Sequence, residues 1–184
     1  MPWKWIAFVV GSGGLVYVSR ASLGDPRAHG FHRFFAWEAI LGLFLLNVDS
    51  WFVDPFAWNQ CAAWVLLFAC IVPVIWGTVL LRRAGKPAET REQEPSLLAF
   101  EKTTELVTSG IYRHIRHPLY CSLLLLAWGI FFKQPSLPGA GLAAAATAFL
   151  VLTARADEAE CIRYFGPSYE DYMKTTRRFI PFIY

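Results

Sequence analysis

Charge is what this chain of 184 residues has least of for its size. Only 17% of it is Asp, Glu, Lys or Arg, against about 25% in an ordinary soluble domain. The balance is a mere +3, too small to suggest a nucleic-acid partner. Cysteine is also scarce. Cys61, Cys70, Cys121 and Cys161 are scattered, with no pair at metal-ligand spacing, which argues against a structural zinc site or a disulfide scaffold; Cys121 and Cys161 read as packing residues. No Rossmann fingerprint is present. The run Gly11-Ser12-Gly13-Gly14 has neither a strand before it nor Lys-Ser/Thr after it, so it is not a phosphate loop and reads as a close helix contact through small residues.

What is abundant is apolar sequence. Hydrophobic residues make up 55% of the chain and aromatic ones 16%. They come in blocks rather than at spacings of two or 3.6, which predicts an all-α integral membrane protein. Five blocks stand out, at residues 3–19, 34–48, 57–81, 119–132 and 137–154. The third is long enough to span with tilt, and Pro73 should kink it. The second and fourth are short and should borrow flanking aromatic residues. Only Lys133-Gln134-Pro135-Ser136 separates the fourth from the fifth, which predicts a helical hairpin. The first block has Lys4 before it but is interrupted by glycines and lacks a small-x-small cleavage site, so it reads as a retained span rather than a signal peptide.

Five spans put 15 of the 17 Lys and Arg on one side, leaving Lys4 and Lys133 on the other. The positive-inside rule then predicts an outer N-terminus and a cytoplasmic C-terminus. Two parts follow: residues 1–96, with three spans and a cytoplasmic loop, and residues 97–184, with the hairpin and tail. Residues 84–95 read as a surface loop. Leu97, Leu98, Phe100, Leu106 and Val107, alternating with Glu101, Lys102 and Glu105, read as an interfacial segment.

Polar residues concentrate in two cytoplasmic stretches. In the first, Gly110 permits a tight turn and Pro118 suits the first position of a helix. Arg113, His114, Arg116 and His117 crowd that helix start, where free N–H groups and the dipole favour an anion. Arg113 and His114 read as a basic anchor touching lipid phosphates, and Arg116 and His117 as holding an anionic ligand. In the second, the fifth helix continues past the membrane, with Arg155 and Glu158 neighbours at i, i+3. Gly166 and Pro167 end it, and Tyr169 and Tyr172 lie one turn apart on a short following helix. Glu38, about one turn inside the second span, is a candidate for substrate contact, or an acid paired with His32 or Arg33.

Together these stretches resemble the isoprenylcysteine carboxyl methyltransferase family, which belongs to a wider set with phospholipid N-methyltransferases. The pattern is Gly110-x-Tyr112-x-x-x-Arg116-His117-Pro118-x-Tyr120, then Arg155-x-Asp157-Glu158, then Phe165-Gly166-x-x-Tyr169-x-x-Tyr172, closing on Ile180-Pro181-Phe182-Ile183. It covers about residues 97–184. Asp157 stands where the family usually has Glu, and Cys121-Ser122 where it often has x-Gly.

The resemblance implies S-adenosylmethionine as cofactor and a small lipophilic or lipid-linked acceptor, such as a prenylcysteine-like carboxylate. Arg116 and His117, with Pro118 beside them at the cofactor, would take its carboxylate, Asp157 or Glu158 its ammonium, and Tyr112, Tyr120, Tyr169 and Tyr172 would stack on it or face its charge. A carboxylate acceptor needs no base; a thiol or amine would use Glu158 or His117. Arg155 would hold an anionic acceptor or, more simply, orient Glu158. No metal is expected, and membrane lipids are the expected surroundings. Two rival readings remain. Arg155-x-x-Glu158-x-x-Cys161, with Tyr164, Gly166 and Ile183-Tyr184, is similar to the tail of sterol reductases, which would put NADPH in the same pocket, although those proteins are usually much longer. The other rival is a non-catalytic lipid-binding membrane protein.

Overall fold

In a bilayer the backbone has no water to bond, so each apolar block must satisfy its own N–H and C=O groups as a helix. A computed structural model, which describes residues 2–86 and 103–180, is helical in this way, with no strand among the described residues; Ile115 and Arg177 form an isolated bridge. The helices are α1 (Pro2–Ser19), α2 (His29–Asn47), α3 (Trp58–Ala69), α4 (Ile71–Ala84), α5 (Pro118–Lys133), α6 (Leu137–Phe165) and α7 (Pro167–Thr175).

Among the described residues, three stretches are long and apolar enough to cross a membrane: His29–Ser50, Trp58–Ala84 and Leu137–Phe165. The second block is therefore longer than its apolar run suggested. Its helix begins at His29, because Arg33 is buried with its guanidinium 4.9 Å from the Trp37 ring and 3.5 Å from His29 Nε2. The third block breaks at Cys70, between α3 and α4. Pro73 has no N–H to give the carbonyl of Ala69 and its ring crowds that carbonyl, so the expected kink falls one turn upstream of the proline. α5 is a shorter apolar helix of 16 residues. Residues 87–102, holding most of the expected surface loop and interfacial segment, and residues 181–184, holding most of the closing motif, lie outside the described residues.

Small side chains let the helices approach closely. Ala36, Ala39, Ile40 and Leu43 of α2 are buried against Ala127 and Ile130 of α5 and Ala143, Ala146 and Leu150 of α6. A Cβ on Gly129 of α5 would lie 2.9 Å from Leu67 Cγ on α3. Between α1 and α2 only Gly11 acts this way, its Cβ position being 2.8 Å from Leu41 Cδ2, whereas Gly13 and Gly14 face open space. The outward residues of α1, α3 and α4, among them Trp5, Val9, Val65, Phe68, Val72 and Ile75, are exposed and apolar, as a lipid-facing surface requires.

The end of α5 is tied down by side chains from elsewhere. A helix leaves its last four carbonyls without partners. Asn47 Nδ2 donates to Ile130 O at 2.9 Å, Asn59 Nδ2 to Phe132 O at 3.1 Å and Gln60 Nε2 to Lys133 O at 2.9 Å. Lys133 itself is buried. Its ammonium donates to Gln60 Oε1 at 2.9 Å and sits 3.5 Å from the centre of the Trp64 ring. At the other end of the hairpin, α6 runs for 29 residues from a Ser136 cap to Gly166, whose φ of +60° only glycine adopts freely. That length carries Asp157, Glu158 and Glu160 past the packed core to where α7 and the start of α5 meet.

Candidate active site

The start of α5, the last turns of α6 and α7 converge on one buried carboxylate. Glu158 is 4% exposed. Arg178 grips it with two bonds, Nη2 to Oε2 at 2.6 Å and Nε to Oε1 at 3.0 Å. Arg116 Nε donates to Oε1 at 2.9 Å, and His117 Nε2 lies 3.2 Å from the same oxygen. Arg116 Nη1 continues to Thr176 O at 2.6 Å and Met173 O at 3.3 Å, at the end of α7. The tail then runs beside residues 114–117: Arg116 N donates to Arg177 O and His117 N to Arg178 O, while Arg177 N donates to His114 O. The segment thus held cannot drift from α6.

His117 also lies with Nδ1 3.4 Å from Asp157 Oδ2, and its ring stacks on Tyr120 at 5.4 Å. Burial alone would lower the pKa of this imidazole, but the hydrogen bonds and charges of Asp157 and Glu158 outweigh it and hold the group above its ordinary value. Tyr172 donates to Tyr112 O at 2.6 Å, pinning α7 to the turn Gly110–Arg113. Burial pushes the Tyr169 and Tyr172 hydroxyls upward in pKa, so both stay neutral. Gly110 makes its turn with φ +59°, against Leu80 of α4.

In front of this cluster is an open pocket with about 700 Å³ of empty space, its mouth and the solvent there included. Tyr112, Arg116, His117, Pro118, Tyr120, Asp157, Tyr169 and Tyr172 line it, as do the apolar Leu81, Leu106, Val107, Leu119 and Phe165, with Thr103 and Cys161.

Eight of the nine residues expected from sequence to hold a cofactor thus line one pocket. The ninth, Glu158, lies behind the lining, where it anchors Arg116 and His117. Arg155 is not brought to Glu158. It is exposed, and the i, i+3 pair does not form because Glu158 is fully engaged by Arg116, His117 and Arg178 from other segments. Glu38 is far from this cluster in its contacts. Its Oε2 accepts from Ser12 on α1 at 2.7 Å and its Oε1 is buried without a partner among the described residues, so the pairing with His32 or Arg33 is not formed. Arg113 and His114 are exposed beside the turn. Arg178 and Thr176 were missed; an arginine six residues after a tyrosine pair gives no local sign that it returns to α6. Cys161, read as packing, is at the pocket wall, its Sγ 3.6 Å from Asp157 Oδ1.

An all-helical membrane protein with a tyrosine-lined pocket at the end of a helical hairpin is the class defined so far. Residues 90–167 match the family model described as phospholipid methyltransferase, which falls within the isoprenylcysteine carboxyl methyltransferase-like group. Its match contains the start of α5, both arms of the hairpin and the acids of α6. No curated protein matches the chain, and no solved structure does.

Proposed function

We propose that the chain is a membrane methyltransferase that uses S-adenosylmethionine on a small lipophilic or lipid-linked acceptor, a prenylcysteine-like carboxylate being one candidate. The observation that carries this reading is the convergence of the eight expected residues on a single pocket within the matched domain.

The lining fits the cofactor. Asp157 is the pocket's carboxylate and would take the ammonium. Arg116 keeps Nη2 without a partner among the described residues, while Nε and Nη1 are used; that atom, with the first-turn N–H groups of α5, would take the carboxylate. Tyr112, Tyr120, Tyr169 and Tyr172 offer faces for adenine and for a positive centre. When bound, S-adenosylmethionine supplies a methyl group on a sulfonium, open to in-line attack. The protein's part is then positioning. The tyrosines exclude water, and Glu158 holds Arg116 and His117 in place without touching the reactants. An ionised carboxylate acceptor needs no base; for a thiol or amine, the Asp157 carboxylate stands at the wall to receive the proton. Leu81, Leu106, Leu119 and Phe165 make the remaining wall apolar, which suits a lipophilic acceptor.

In the bilayer we place five spans, α1, α2, α3 with α4, α5 and α6, with residues 1–96 as a scaffold around the part from 97 onward. The 15 basic residues on one side support a pocket on the cytoplasmic face and an outer N-terminus. Calorimetry on detergent-purified protein tests the reading, with S-adenosylhomocysteine compared against NADPH. Micromolar binding of the first and none of the second is expected. The reverse would make the protein a reductase, and heat from neither would favour a lipid-binding role.

A further inference from the structure

The N-terminal half of the chain sends one fully buried titratable side chain to the acid-rich end of α6. His29, the first residue of α2, has no exposed surface. Its backbone N–H donates to Glu160 Oε1 at 2.8 Å and its ring Nδ1 lies 2.7 Å from Oε2, so one carboxylate takes both groups. Ala28 before it offers no side-chain cap, and Glu160 supplies from another helix the acceptor that α2 lacks. On the far side of the ring, Nε2 is 3.5 Å from Arg33 Nη1.

The same ring reaches toward the pocket. A ring nitrogen of His29, a carboxylate oxygen of Asp157 and one of Glu160 lie within 4.8 Å of one another. Two buried carboxylates this close repel unless a positive or hydrogen-donating group stands with them. His29 is that group, and the Arg33 guanidinium beside it counts against a metal ion as the occupant. Asp157 thus has a histidine on two sides, His117 from the start of α5 at 3.4 Å and His29 from α2 within 4.8 Å.

We infer that His29 is a positioning residue for the methyl-transfer pocket. It acts through Asp157, fixing that carboxylate where it meets the cationic part of the bound ligand. The inference rests on the methyltransferase reading. It gives α2, which precedes the matched residues 90–167, a part in the site.

A double-mutant cycle on the full chain in lipid nanodiscs tests it, with His29→Asn, Asp157→Asn and both together. Asn keeps a side-chain N–H close to the place of Nδ1, so the hold on Glu160 is retained. The expected result is a melting temperature near wild type, S-adenosylhomocysteine affinity lowered five- to tenfold by His29→Asn, and no further loss when Asp157 is already Asn. Should His29→Asn fail to fold, Glu160→Gln replaces it with the same expectation, since it keeps a carbonyl acceptor for the backbone N–H of His29. Unchanged affinity, or losses that simply add, would reduce His29 to a helix clamp and overturn the inference. Stoichiometric zinc or manganese in the purified protein would overturn it too, by making these side chains ligands. A wild type that does not bind S-adenosylhomocysteine at all would remove the methyltransferase reading itself, an outcome distinct from additive losses in a protein that binds.

Discussion

Replacing Glu158 by Gln should be the most damaging single-atom change in this protein. The side chain is 4% exposed and receives two bonds from Arg178 and one from Arg116, with His117 at 3.2 Å. Glutamine has nearly the same shape, so no cavity forms. The loss is electrostatic: one amide oxygen replaces a carboxylate, and an NH₂ group is turned toward donors. Arg116, with its side chain 8% exposed, is then left buried with no counter-charge of its own. Removing one partner of a buried ion pair costs about 3–5 kcal/mol. For a chain of this length each kcal/mol lowers the melting temperature by about 2–4 °C, so a drop on the order of 10 °C is expected. Arg178→Ala makes the contrast. Arg178 is more exposed, at 18% of its side chain, and its loss leaves Glu158 with Arg116 and His117, so the cost should be nearer about 1.5–3 kcal/mol. Both can be read by tryptophan fluorescence during heating in detergent. If Glu158→Gln melts within 2 °C of wild type, roughly 1 kcal/mol or less, or if Arg178→Ala is the worse of the two, the cluster is not what holds α5, α6 and the tail together. In the same variant, Arg116 and His117 lose their anchor, and S-adenosylhomocysteine affinity should fall about tenfold, or 1.4 kcal/mol.

His117 sets a pH dependence. Its folded pKa is raised above the ordinary 6.5, so the stability it contributes is complete below the unfolded value and is lost as pH rises through the folded one. The melting gap between wild type and His117→Asn should be widest near pH 6 and close toward alkaline pH; a gap that widens instead would contradict a charged His117. Tyr172→Phe deletes the buried bond to Tyr112 O and should cost about 0.5–1.5 kcal/mol, visible as faster proteolysis at the turn before α5. Gly129→Val puts a side chain against Leu67, whose backbone N is only 3.2 Å from the Cβ position, and should destabilise by about 1–3 kcal/mol. Gly13→Val, in open space, should melt with the wild type.

The composition of the blocks made their helices legible, because burying backbone in lipid leaves no alternative. The site was legible for a different reason. Pro118 starts α5 and Gly166 ends α6, and these local signals fix where Arg116, His117, Asp157 and the α7 tyrosines come out. The misreadings share one cause, the action of distant partners. Arg155 and Glu158 are near neighbours on the helix, yet Arg178, returning from the tail, wins Glu158 with a two-pronged bond. The block read as the second span starts at residue 34, just after Arg33, and nothing near His29 in sequence announces Glu160, 131 residues away. For Glu38 the neighbours in sequence, His32 and Arg33, read as partners, and Ser12, which takes half of it instead, lies in a run that reads only as packing.

The cage around Lys133 bears on the order of synthesis. Trp51, Gln60 and Trp64 are all translated before Lys133. An ammonium entering hydrocarbon alone is penalised by about 2.5–3.5 kcal/mol, and α5, at 16 residues, has little apolar length with which to offset that. When α5 leaves the ribosome, the aromatic rings and the amide that receive its lysine are already in the membrane, as are Asn47 and Asn59 for its last carbonyls. The early half of the chain thus supplies the partners that the end of α5 needs, and a hairpin of α5 and α6 expressed without it would leave a bare charge and open carbonyls.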